Sequence, residues 1–133
     1  MDFVTIATEG NAEDFGDLTN KRSQAHGGGN TTRGVFAGGY DPSAAVDTID
    51  YITIASKGDA VDFGNLTRVY GTFGSASNSI RAVWCGGYGQ PAGYYSELEY
   101  ITIATTGNAA EFGDGTANRA SGAACSDSHG GLG

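Results

Sequence analysis

Asp50-Tyr51-Ile52-Thr53-Ile54-Ala55-Ser56 is the stretch whose reading decides the fold. Its isoleucines alternate with tyrosine and threonine, the period of two that marks a strand with one buried face, and its β-branched and aromatic residues suit a pleated surface. The wording occurs 48 residues earlier as Asp2-Phe3-Val4-Thr5-Ile6-Ala7-Thr8 and 49 residues later as Glu99-Tyr100-Ile101-Thr102-Ile103-Ala104-Thr105. Such self-similarity at a fixed spacing is the signature of a repeat architecture.

Two further elements travel with it. Asp14-Phe15-Gly16-Asp17-Leu18-Thr19 returns as Asp62-Phe63-Gly64-Asn65-Leu66-Thr67 and as Glu111-Phe112-Gly113-Asp114-Gly115-Thr116. Arg33-Gly34-Val35-Phe36-Ala37-Gly38-Gly39-Tyr40 returns as Arg81-Ala82-Val83-Trp84-Cys85-Gly86-Gly87-Tyr88. Between them lie stretches poor in bulk, His26-Gly27-Gly28-Gly29 and Gly74-Ser75-Ala76-Ser77, which read as crowded inner strands where only small side chains fit. Turn residues follow the first element as Gly10-Asn11, Gly58-Asp59 and Gly107-Asn108. No window holds apolar residues at helical spacing, and the 23 glycines would break helices. The expectation is an all-β chain of four-stranded antiparallel units, one repeat domain over residues 1–133 with units near 2–49, 50–98 and 99–133.

Composition narrows the function. The chain of 133 residues carries 7 Lys+Arg against 15 Asp+Glu, a net charge of −8, and no basic patch to neutralise phosphates, so nucleic acid is not an expected partner. Apolar runs are far too short to insert in a membrane as a helix, and no basic-then-apolar opening reads as a secretory signal. Cys85 and Cys125 lack metal-ligand spacing and read as small buried fillers rather than a bridge. His26 and His129 fall at different places in their units, so no metal site is expected, and no glycine run is followed by the Lys-Ser/Thr of a phosphate loop. The acid pairs Asp14/Asp17 and Glu111/Asp114, with Asp62/Asn65 between them, recur with the repeat. A catalytic pair is normally unique, so these read as turn and edge hydrogen-bonding residues, and no cofactor or catalysis is expected. Phe15, Phe63 and Phe112, with Ile54, Ile103 and Leu66, are the expected filling between units.

One connection varies while the rest repeats: Asp41-Pro42-Ser43-Ala44-Ala45-Val46-Asp47 against Gly89-Gln90-Pro91-Ala92-Gly93-Tyr94-Tyr95-Ser96. Variable loops on a rigid scaffold commonly carry binding. Tyr88, Gln90, Tyr94 and Tyr95 are therefore the candidate binding residues, able to stack on a sugar or a partner surface. Ordinary loop packing is the competing reading.

The small-residue strand opened by Arg, the doublets Gly38-Gly39 and Gly86-Gly87, and the amphipathic strands at 49–54 and 98–103 resemble the kelch-type β-propeller repeat. Phe15, Phe63 and Phe112 stand where that repeat usually has tryptophan, a departure from its pattern. The phrase Tyr-Ile-Thr-Ile-Ala followed by Gly-Asn-Ala and Phe-Gly-Asp is also similar to repeats in virion and tail-associated proteins of marine bacteriophages. The resemblance implies a propeller without catalysis, located in a virion, that assembles with copies of itself and with other virion proteins and touches host surface glycans. It leaves open a stand-alone lectin, a fragment of a larger kelch-type protein and, third, an enzyme. With strands labelled a to d, the chain runs c–d, then two complete a–d units, then an a strand over 121–128. That order leads to an expected ring closed between chains, two chains making six blades.

Overall fold

The computed structural model describes residues 1–72, 74–89, 93–119 and 122–126. Every regular element among them is a β-strand. Strands β1 (Asp2–Phe3) and β2 (Glu13–Asp14) form a two-stranded antiparallel sheet. Strands β3 (His26–Gly29), β4 (Arg33–Ala37), β5 (Thr48–Thr53) and β6 (Val61–Asn65) form a four-stranded antiparallel meander in chain order. In the third sheet β7 (Tyr70–Thr72) and β8 (Ser75–Ser77) both pair with β9 (Arg81–Gly89), followed by β10 (Gly93–Thr102) and β11 (Ala110–Arg119). The all-β antiparallel class expected from the repeats is thus the observed one. Strands a to d correspond to β3–β6 in one sheet and to β7/β8 through β11 in the next, so each sheet spans the end of one sequence repeat and the start of another.

Local chemistry recurs with the strands. Asn30 Oδ1 accepts the backbone N–H of Thr32 and Arg33, each at 2.9 Å, closing the turn from β3 to β4. Asn78 Oδ1 does the same for Ile80 and Arg81 at 2.9 and 2.8 Å, closing the turn from β8 to β9. The glycine doublet is required by backbone conformation: Gly38 and Gly39 have φ of 62° and 107°, and a Cβ on Gly39 would be driven into the Ser23 carbonyl.

The core lies between the two larger sheets. Val35, Ile49, Tyr70, Trp84 and Ile103 are all fully buried. Trp84 donates its indole N–H to the His26 carbonyl at 3.0 Å, and Ser77 Oγ accepts the Gly29 N–H at 3.1 Å. A Cβ on Gly28 would sit 3.3 Å from the Ala82 Cβ, so the glycine run of β3 is small because the neighbouring sheet occupies the space.

Three expectations need correction. Phe63 is buried, Phe15 is half-buried and Phe112 is 55% exposed, because the segment that follows Phe63 in space, Gly107 onward, has no counterpart on Phe112 among the described residues. Ile103 is fully buried, with its carbonyl accepting from Arg33 Nη1 at 2.8 Å, whereas Ile54 is 48% exposed, since the sheet before it holds only β1 and β2. Cys85 is half-buried, but Cys125 is exposed, and both are free thiols. The expected inner strand over 121–128 falls partly outside the described residues; within it, 122–126 form no strand, though the Ala123 backbone lies 3.5 Å from where a Gly74 Cβ would be.

Candidate functional site

The polar chemistry of the molecule is concentrated where one sheet meets the next. Asp50, on β5, has no solvent exposure. Its carboxylate accepts the Thr19 hydroxyl at 2.6 Å and the Thr19 N–H at 3.2 Å. Arg22 Nη1 lies 2.9 Å from Asp50 Oδ2, with both side chains fully buried. Thr19 and Arg22 belong to the segment leaving the first sheet, so this carboxylate ties the first sheet to the second. A buried charge is costly unless paired: the Asp50 carboxylate has both the Thr19 donors and the Arg22 charge, whereas Arg22 Nε and Nη1 make no hydrogen bond among the described residues, so the guanidinium depends on its ion pair with Asp50.

The next junction repeats the arrangement with altered side chains. Glu99 occupies the place of Asp50, Thr67 that of Thr19 and Tyr70 that of Arg22. Glu99 is fully buried and accepts the Thr67 N–H at 3.1 Å and the Thr67 hydroxyl. Burial pushes its carboxyl above the ordinary value of 4.5, against the opposing pull of the Thr67 and Tyr70 donors. The Tyr70 hydroxyl is itself pushed far up by burial and by Glu99 beside it.

Backbone bonds complete each junction in one register. Phe15 O accepts from Gly58 N and Asp17 O from Ala60 N, both at 2.8 Å, while Asp17 N donates to Asp59 Oδ1 at 2.9 Å. At the second junction Phe63 O accepts from Gly107 N and Asn65 O from Ala109 N, both at 2.8 Å, while Asn65 N donates to Asn108 Oδ1 at 3.0 Å. The acid-pair positions are therefore junction residues: Asp17 and Asn65 work through their backbone, and Asp14 Oδ1 accepts the Gly16 N–H at 3.2 Å. Among the described residues no cluster of His, Cys, Asp or Glu could hold a metal ion. Among the described residues no helix is long and apolar enough to cross a membrane.

The candidate tyrosines are divided by the strand pleat. Tyr88 and Tyr94 pair directly across β9 and β10, 39% and 51% exposed, with ring centroids 5.3 Å apart at 55°. Tyr95 points to the opposite face, is 8% exposed and packs 5.9 Å from Tyr70 in the core, so it does not join them. Gln90 lies outside the described residues, as does His129. The Tyr88 carbonyl accepts the hydroxyl of Tyr40, which lies just beyond β4, and this bond anchors the hairpin that carries the ring pair. In the corresponding loop of the earlier sheet Asp41 Oδ1 accepts the Ser43 and Ala44 N–H groups at 2.7 and 2.8 Å. Those bonds, Ala44 first, hold its carboxyl below the usual carboxylate range.

Sequence reasoning passed over Asp50 and Glu99. Their signal was available: an acid opens every copy of the phrase that begins at Asp2, Asp50 and Glu99, and a threonine closes every copy of the Phe-Gly phrase at Thr19, Thr67 and Thr116. No family model matches the chain, and no curated protein matches it significantly.

Proposed function

We propose that this chain is a non-enzymatic structural or adhesion module, a propeller-type array of four-stranded blades in a phage virion or tail, which assembles with copies of itself. The single observation that carries this reading is the junction made twice in the same register, once around Asp50 and once around Glu99. Its two fully buried carboxylates, Asp50 and Glu99, are committed to joining sheets, as stacked repeats require. The similarity of the repeat wording to virion and tail-associated proteins supports the particle setting, and closure into a ring would remove the unpaired strand edges. Electron micrographs of the purified full chain should show closed rings of blades. Isolated, unassociated particles at micromolar concentration would overturn the assembly reading.

A second reading, glycan contact, is supported by the exposed Tyr88–Tyr94 pair on its anchored hairpin. Flat aromatic faces beside one another suit the apolar face of a sugar ring, and tyrosine presents that area at low conformational cost.

A further inference from the structure

The third copy of the junction is present in two separated halves. The acid of the first unit is Asp2, and the threonine of the last is Thr116. Three residues after Thr116 stands Arg119, at the place held by Arg22 in the first unit. Asp2, Thr116 and Arg119 thus match Asp50, Thr19 and Arg22 in residue type as well as position. All three are exposed, and Arg119 Nη2 lies 3.5 Å from the Thr116 hydroxyl oxygen, so the two β11 members of the trio already stand together. The backbone halves are equally open. Gly10, Asn11 and Ala12 are exposed, whereas Ala60 and Ala109, the counterparts of Ala12, are buried at 8% and 9%. Gly113 has φ of 146° like Gly16 and Gly64, yet where a Cβ on those two would strike the Gly58 and Gly107 carbonyls, nothing lies within 4 Å of one on Gly113. The conformation is set for a neighbouring carbonyl that none of the described residues supplies.

We propose that a second copy of this chain docks its Asp2 edge onto the β11 face, with Asp2 accepting from Thr116 and pairing with Arg119. The inference rests on the assembly reading above and names its joint. Charge complementarity favours this occupant, since Asp2 and Arg119 are opposite in sign and the joint they would rebuild is already made inside the molecule by the same three residue types. Backbone bonds would follow from Gly10 N to Phe112 O, from Ala12 N to Asp114 O and from Asp114 N to Asn11 Oδ1. Two differences shape the joint. Gly115 stands where Leu66 fills the core, so this contact buries less apolar surface. β11 also runs on beside β10 to Arg119, with its pairing broken between Asp114 and Arg119. Residues 115–119 would leave β10 to take the crossing path that Leu66-Thr67 takes.

Sedimentation of the full chain tests the joint. The wild-type protein should sediment as a multiple of 13.5 kDa. Asp2→Arg and Arg119→Asp should each raise the dissociation constant at least about 30-fold, and the double variant Asp2→Arg/Arg119→Asp should recover association. Both positions are exposed, so unchanged Trp84 emission verifies folding. If the wild type associates and the single variants associate equally well, or the double variant stays dissociated, the joint is wrong while the assembly reading stands. A wild-type chain that remains at 13.5 kDa overturns both.

Discussion

Asp50→Asn is the sharpest test of what holds successive sheets together. The substitution keeps the size of the side chain and removes its charge. Arg22 is then left buried: its Nη2 reaches the Phe36 carbonyl at 3.3 Å, and its Nε finds no acceptor among the described residues, so Asp50 is its main compensation. Breaking a buried pair from one side costs about 3–5 kcal/mol. That is a large part of the roughly 5–15 kcal/mol expected for the whole fold. With a urea dependence of about 1–3 kcal/mol per molar, the unfolding midpoint should fall by about 1–5 M. The assay is urea unfolding followed by tryptophan emission, since Trp84 is the single tryptophan, fully buried, and bonded across the sheets to His26. Arg22→Met alone should cost a comparable amount by stranding the carboxylate. The double variant Arg22→Met/Asp50→Asn should be more stable than the sum of single losses predicts, by about 1–3 kcal/mol. A midpoint for Asp50→Asn within about 0.3 M of wild type, or strictly additive losses, would refute the reasoning.

Glu99 predicts a pH dependence of the less common sign. Its folded carboxyl binds its proton more tightly than the unfolded one, so its contribution is greatest below about 4.5 and is lost as pH rises through the folded value; Glu99→Gln should flatten that part of the stability profile, and an unchanged slope would contradict the assignment. Gly64→Ala should lose about 2 kcal/mol or more by denaturant titration, because its φ of 148° and the Gly107 carbonyl both oppose a Cβ, whereas Gly113→Ala, with the same strain and open space, should lose distinctly less in the dissociated chain. Tyr94→Ala should abolish binding on a glycan array while leaving the unfolding midpoint nearly unchanged, and Tyr95→Ala should cost about 3–5 kcal/mol because its ring lies in the core; equal stability losses for the two would show that the pleat does not divide them.

Much of the architecture was legible in the residues because its causes are local. Alternation of isoleucine with tyrosine and threonine specifies the strand that ends at Thr53, Asn30 and Asn78 close their own turns, and the doublet at Gly38-Gly39 announces a backbone that only glycine adopts readily. Repetition of those signals was enough to count the sheets. Burial was not local. Phe63 and Phe112 carry the same residue in the same wording, yet one is covered and the other open, because coverage comes from a different segment of chain. Tyr94 and Tyr95 are neighbours in sequence and stand on opposite faces. The buried carboxylates belong to the same class. Written as letters, Asp50 and Glu99 look like any charged residue of a strand; only packing brings Thr19 and Arg22, or Thr67 and Tyr70, onto them from roughly 30 residues away and offsets part of an expensive desolvation. Sequence alone determined the strand content and the repeat, since those follow from side-chain alternation and turn chemistry. Tertiary structure decided which copies of an identical motif are sealed and which stand open, since that depends on what lies across the gap.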